Sequence, residues 1–185
     1  MADRKPAGPV SRRVPKNDNR ERLVCDDCGF VLYSNPKVVV GSVVCLHDRI
    51  LLCRRSIDPR SGFWTLPAGY LENGETTADG AKREAKEEAG AEIEINHVLA
   101  VYSIPRISQV QVMYAASLLS DDIYAGEETS EVGLFAWDDI PWDDLAFPSV
   151  RWALNHWREA QETGDTAARS NPPGEIGNFV EDAPV

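Results

Sequence analysis

Three carboxylates, Glu84, Glu87 and Glu88, stand at positions i, i+3 and i+4 in the segment AKREAKEEAG. On a helix they share an arc of about 100°. Each like-charge pair at those spacings costs an isolated helix about 0.2–0.5 kcal/mol. A solvated face could carry that cost if Lys82, Arg83 and Lys86 offset it. Lys86 points away from the glutamates, however, and only Arg83 is placed to pair with Glu87. A hard divalent cation would turn the repulsion into binding, because Mg²⁺ and Ca²⁺ take oxygen ligands. Beside the glutamates, Ala78, Ala81, Ala85 and Ala89 fall within about 80°. A stripe of alanine lets the helix lie very close to whatever it packs on.

The elements that must hold this helix are readable from periodicity. Residues 76–90 form it, with Thr76 or Thr77 as N-cap and Gly90 as C-cap. Residues 37–46 and 49–54 predict a hairpin turning at His47-Asp48, and residues 64–66 a short strand before Pro67. Residues 92–104, 110–119 and 132–137 read as strands. A last helix from Ser149 to about Gln161 puts Val150, Ala153, Leu154 and Trp157 on one stripe. Strands interrupted by one central and one late helix predict an α/β layered domain.

With 185 residues and 43% hydrophobic content, the chain can bury one ordinary core. No run of some 18 apolar residues is present. The opening MADRKPAGPVSRRVPKNDNR has no apolar h-region, which argues against a signal peptide and for a cytoplasmic protein. Net charge is −11, a poor balance for general nucleic-acid binding. The charge is unevenly placed: residues 1–22 carry seven Lys/Arg against Asp3, Asp18 and Glu21, a net +4, leaving −15 on the remainder. Residues 1–22 are expected to be a disordered basic arm, and residues 164–185, with a Pro-Pro-Gly break and no apolar period, a flexible tail.

The helix and the loop before it extend the pattern. Gly69 is followed after five residues by Glu75, then after seven by Arg83-Glu84, with Glu87, Glu88 and Gly90 completing the series. This is the G-x5-E-x7-R-E-U-x-E-E-x-G-U box, and the chain is similar in it to the Nudix hydrolases. Both U positions are alanine, Ala85 and Ala91, where bulkier aliphatics are usual. Residues 25–46, 51–69 and 134–149 also resemble the Nudix group with a zinc ribbon before the catalytic domain, notably plant FAD pyrophosphatases that also handle ADP-ribose. The resemblance implies an α/β/α sandwich with a mixed β-sheet, spanning residues 37–163, preceded by a partial zinc-ribbon-like segment, 23–36. It implies Mg²⁺- or Mn²⁺-dependent cleavage of a nucleoside diphosphate linked to another moiety. ADP-ribose or FAD comes first as substrate and a damaged nucleoside triphosphate of the 8-oxo-dGTP type second; a non-catalytic ADP-ribose sensor is the alternative class. A homodimer is a further expectation by resemblance, and no membrane or nucleic-acid partner is expected.

Carried over position by position, the resemblance makes Glu87 and Glu88 the principal metal ligands, with the Gly69 carbonyl as a third. Glu84 binds metal or positions the attacking water, and Arg83 with Glu75 ties loop to helix. For a distal carboxylate acting as ligand or base, Glu131 aligns best, Glu128 second and Glu127 third. Arg54, Arg55 and Arg60 could clamp phosphate oxygens, with one of Arg54 and Arg55 favoured. Tyr70, Tyr102 and Trp64 could stack on a base, although packing is the expected job of Trp64. Pro105, 15 residues beyond Gly90, resembles the downstream proline of ADP-ribose pyrophosphatases. The signatures of NADH and coenzyme A pyrophosphatases are absent. Cys25 and Cys28 look like one knuckle of a zinc ribbon, but a structural zinc takes four ligands and no Cys pair precedes them. Zn²⁺ would need ligands from elsewhere or from a second chain, and a knuckle without tightly bound zinc is the expectation. Cys45 and Cys53 are expected to pack in the sheet.

Overall fold

The computed structural model describes residues 8–177. The chain divides into two units, one ending at Pro36 and one beginning at Lys37. No helix among the described residues is long and apolar enough to cross a membrane.

The first unit is a three-stranded antiparallel sheet in the order β1 (Pro9–Arg13), β2 (Arg22–Cys25), β3 (Val31–Leu32). The described part of the basic arm is therefore not disordered. Its strands lack apolar alternation, and polar clamps hold them instead. Asp26 accepts hydrogen bonds from Ser11 and Arg13 of β1. Asp18 accepts from the Asn19 and Arg20 amides and, at 3.1 Å, from Arg22 Nε, closing the β1–β2 turn. Of the arm's basic residues, Arg13 and Arg22 are engaged in these contacts. Residues 1–7 of the expected arm lie outside the described residues.

The second unit is built on a seven-stranded mixed sheet in the order β10-β5-β4-β9-β8. These are β4 (Lys37–Leu46), β5 (Arg49–Arg55), β8 (Ile93–Ile104), β9 (Gln109–Leu118) and β10 (Thr129–Ala136); short strands β6 (Trp64–Thr65) and β7 (Ala68–Tyr70) pair with β5 and β4. β4 and β9 run parallel, and the other pairs antiparallel. Alternation sorts the side chains to two faces. On one, Val43, Ile50, Leu52, Tyr102 and Met113 meet Val150, Ala153, Leu154 and Trp157 of α2 (Pro148–Thr163). On the other, Val44, Leu51, Cys53 and Ala116 meet Ala85 and Ala89 of α1 (Thr77–Ala89), and Val40 meets Ala81. The result is the expected α/β/α sandwich.

Three residues of the alanine stripe, Ala81, Ala85 and Ala89, each have 0% exposure, and Ala78 is partly buried. That close approach brings the adjacent glutamates to the sheet. Thr76 caps α1 by accepting from the Asp79 amide at 3.1 Å, and Gly90 closes it at φ +63°.

The segment after α2 is not a free tail in its described part. Arg169 adds to the edge of β8 through its N–H to Leu99 O and its carbonyl from Val101 N, both 2.9 Å. Asn171 then reads the Ser103 backbone from both sides at 2.8 Å, and Gly177 reaches Ile104. Backbone pairing, which leaves no apolar period, anchors it.

Candidate active site

At one end of the sheet, where β5 and β8 finish and β4, β9 and β10 begin, a cavity of about 1050 Å³ opens. Its lining brings together Gly69, Tyr70, Arg83, Glu84, Glu87 and Glu88, the core of the predicted site. Arg55, Glu127, Glu128, Arg106, Gln109, Gln111 and Phe147 also line it.

Arg83 organises the loop-to-helix junction. Its Nε and Nη2 donate to both oxygens of Glu75 at 3.1 and 2.9 Å, its Nη1 to Glu84 at 2.8 Å and Glu87 at 2.7 Å, and its Nη2 to Tyr70 O at 3.0 Å. One guanidinium thus neutralises part of the charge of three carboxylates and fixes the loop backbone. Glu75 is held below the usual carboxylate range by Arg83 and by the Glu72 amide, which donates at 2.7 Å.

Glu84 and Glu88 are buried, at 8% and 9% exposure. Burial raises Glu84 in spite of its Arg83 contact. It pushes Glu88 up to about 7, against the help of one hydrogen bond from the Ala68 amide at 2.9 Å; the Glu84 charge adds to the shift and Arg55 opposes it. A buried carboxylate without its own countercharge is costly, and a cation beside it would remove the cost. Gly69 meets the same group: a Cβ there would lie 2.4 Å from the Glu84 carboxyl atoms, so a larger residue must push that carboxylate aside. The donors gathered at this point are all oxygens, which suits Mg²⁺ or Mn²⁺ over softer ions. In their present rotamers Glu84 and Glu87 turn to Arg83 and Glu88 to Ala68, and no group of three metal-ligating side chains converges among the described residues.

Several predicted residues sit elsewhere. Glu131 lies opposite Arg54 in the β10–β5 pairing and forms an ion pair with it at 3.2 Å, outside the cavity lining. Glu128, ranked second from sequence, lines the cavity, and its charge acts on both Glu84 and Glu88. The loop carrying it is docked on the end of α1: Tyr124 N donates to Ala89 O at 2.9 Å and Gly126 N to Glu88 O at 3.1 Å. A Cβ at Gly126 would overlap the Glu87 carbonyl at 1.7 Å. Of the arginines, Arg55 faces the site, its guanidinium 5.3 Å over Phe147 with Nε on Pro59 O at 2.8 Å. Arg54 is committed to Glu131 and Gly62 O, and Arg60 lies over Phe63; neither lines the cavity. Trp64 packs edge-on against Phe135, and Tyr102 is fully buried with its hydroxyl on His156 Nδ1 at 2.7 Å. Of the three aromatics, Tyr70 alone lines the site. Pro105 opens a 3₁₀ turn whose Arg106 and Ile107 form part of the rim. Gln109 and Gln111 were not picked out from sequence, because two uncharged amides at a strand start carry no signature.

In the first unit Cys25 is buried and Cys28 exposed. The Cys28 amide and thiol, with the Asp27 amide, hydrogen-bond to Cys25 and lower its pKa. The two thiols supply half of a structural zinc's four donors, and the described residues contain no larger group. Cys53 is in the core, and the half-buried Cys45 donates to His47 O at 2.9 Å.

A family model for the NUDIX domain matches residues 35–156. The chain belongs to the Nudix family. A second model, the Nudix N-terminal zinc-ribbon family, matches residues 6–34, covering the β1 segment as well as the knuckle. An ADP-ribose pyrophosphatase of Methanocaldococcus jannaschii is 31% identical over 133 residues, 70% of this chain and 78% of that protein. The crystal structure of a NUDIX hydrolase from Nitrosomonas europaea superposes with a TM-score of 0.83 at 43% identity, covering 88% of this chain and 93% of that one. An ADP-ribose pyrophosphatase from Streptococcus suis gives 0.61 at 26% identity, with 74% and 100% covered. The protein is a Nudix pyrophosphohydrolase.

Proposed function

We propose that this Nudix enzyme hydrolyses ADP-ribose to AMP and ribose 5-phosphate with Mg²⁺ or Mn²⁺. The observation that carries the reading is the cavity itself. The Nudix-box carboxylates line its wall, and it also takes in Tyr70, Gln109 and Gln111 as well as Arg55 and Phe147. A diphosphate bridging two moieties needs room for both, whereas a nucleoside triphosphate needs room for one. The names of the Methanocaldococcus and Streptococcus relatives favour ADP-ribose over FAD.

Glu84, Glu87, Glu88 and the Gly69 carbonyl would hold the cation. When bound, it neutralises phosphoryl oxygens and lowers the pKa of bound water. Arg55 takes a non-bridging phosphate oxygen by a charge-assisted hydrogen bond, adding positive field where the chain is otherwise acidic. Glu128 accepts the proton of the attacking water, and Glu84, already raised by burial, orients it. Arg83 and Glu75 keep loop and helix in register and do not touch substrate.

The test is turnover of ADP-ribose, FAD, NADH and 8-oxo-dGTP with Mg²⁺ or Mn²⁺, in wild type and Glu88→Gln. ADP-ribose should give the highest kcat/KM, chelator should abolish it, and Glu88→Gln should lose about a hundredfold or more. Preferred cleavage of a triphosphate would overturn the substrate assignment.

A further inference from the structure

The segment that follows α2 runs along the sheet edge toward the cavity and ends in its wall. β8 is the outer strand, with β4 and β9 between it and β7. An edge strand leaves a row of N–H and C=O groups unpaired. Arg169 covers Leu99 and Val101 by backbone pairing, and its guanidinium is held by Asp165 at 2.8 Å and by Glu159 of α2 at 3.7 Å. Continued in that register, residue 173 would have to donate to Ser103 O, and Pro173 has no N–H. The Asn171 side chain takes over. Its Oδ1 accepts from Ser103 N and its Nδ2 donates to Ser103 O, both at 2.8 Å, so one amide stands in for a peptide group. The same Nδ2 donates to Glu175 O at 3.0 Å, and Glu175 N donates to Pro172 O at 3.0 Å. This closes a turn with Pro173 and Gly174 (φ +81°) at its centre, the residues a type II turn favours. Beyond the turn, the buried Gly177 comes to lie against Ile104.

We propose that Asn171 is a positioning residue for the active site, and that the strap 164–177 sets substrate affinity by holding the end of β8. This rests on the reading of the cavity as the site of diphosphate hydrolysis. Ile104 and Gly177 line the cavity, as do Arg106 and Ile107 of the turn that Pro105 opens directly beyond β8. Ser103, which Asn171 grips through both backbone groups, immediately precedes Ile104. Without that grip Ser103 is held by its pairing to Val110 of β9 on one edge, and the wall beyond it can shift. The box carboxylates are fixed by other contacts: Arg83 on Glu84 and Glu87, and the Ala68 amide on Glu88. Loosening the strap therefore alters binding and leaves the reacting centre in place. Gly177 acts from the far end of the strap. A Cβ there would stand 2.6 Å from Ile104 Cδ1 at a φ of +79°, so an added methyl must push Ile104 or the strap aside.

Steady-state kinetics with Mg²⁺ and amide hydrogen exchange, both on the full-length protein, test the role. Asn171→Leu keeps the side chain's bulk and removes its three hydrogen bonds. It should raise KM about five- to tenfold with kcat within about twofold, the signature of lost binding rather than lost chemistry. Gly177→Ala should raise KM in the same way. Exchange at residues 103–107 should quicken by about tenfold or more in Asn171→Leu and stay unchanged in α1. A merely structural role would lower kcat and the thermal unfolding temperature at constant KM. That result would overturn the proposal, as would unaltered exchange at residues 103–107. The two readings fail separately. If wild type spares ADP-ribose but cleaves FAD or another nucleotide, the substrate assignment falls and the KM comparison is made on that nucleotide; the exchange comparison needs no substrate.

Discussion

Glu84 occupies the space where a side chain on Gly69 would stand. A Cβ there would lie 2.4 Å from the carboxyl carbon and from both oxygens of Glu84. The helix carboxylate thus lies directly against the loop backbone, and Gly69→Ala must displace it. Misplacing a catalytic group by about 1 Å can cost about a hundredfold. Gly69→Ala should lower kcat by that order while the protein remains folded by circular dichroism. Unchanged kcat would show that the contact has no part in catalysis.

Arg83 is the second dependence. Its removal leaves Glu75, Glu84 and Glu87 without their shared partner, and Glu75 and Glu84 are 17% and 11% exposed at the side chain. Partial burial places the cost between that of a surface pair and that of a buried one, so Arg83→Ala should lose about 2–3 kcal/mol in urea unfolding. Arg83→Lys should recover little of it, because an ammonium cannot donate to five oxygens in that planar arrangement. A lysine variant as stable as wild type would contradict the bridging role.

The distal base can be decided by a pair of isosteric changes. Glu131→Gln removes an exposed ion pair with Arg54 and should leave kcat within about threefold. Glu128→Gln removes the carboxylate on the cavity wall and should cost about a hundredfold or more in kcat, the range for loss of a general base. The reverse ranking would restore the assignment expected from sequence alignment.

The exchange of those two glutamates marks where the sequence stops being informative. α1 was legible because its alanine stripe, its caps and the Gly69–Glu75–Arg83 spacing all point to one arrangement. β10 was not, because the pattern suggested a start at Val132, while the strand begins at Thr129 with a register shift before Glu131. That irregularity sets Glu131 against Arg54 and leaves Glu128 in the loop docked on α1, and neither outcome follows from residue type. The β1–β2 pairing was illegible for a different reason: Asp18 and Asp26 hold it through polar contacts that leave no hydrophobic period. Gln109 meets the Tyr70 hydroxyl, 39 positions earlier in sequence, through strand pairing that only the sheet supplies.

Stability should carry a pH signature from the other face of the sheet. Tyr102, fully buried, has its hydroxyl 2.7 Å from His156 Nδ1, a hydrogen bond whose donor the imidazole tautomer sets. Burial holds the imidazole below its ordinary pKa, with Arg169 adding to the shift and Glu159 opposing it. The unfolded chain binds the proton near pH 6.5, roughly the unperturbed value, and the folded chain only at lower pH. Protonation therefore favours unfolding, so the contribution is intact above about pH 6.5 and is lost as pH falls below it. Between pH 7.5 and 5, Tm should fall further in wild type than in His156→Gln, whose amide oxygen can accept from Tyr102 without titrating. Tyr102→Phe at pH 7.5 should cost about 1–2 kcal/mol, because it leaves the imidazole nitrogen unpaired. Parallel Tm profiles for wild type and His156→Gln would show that the imidazole is not held neutral by the fold.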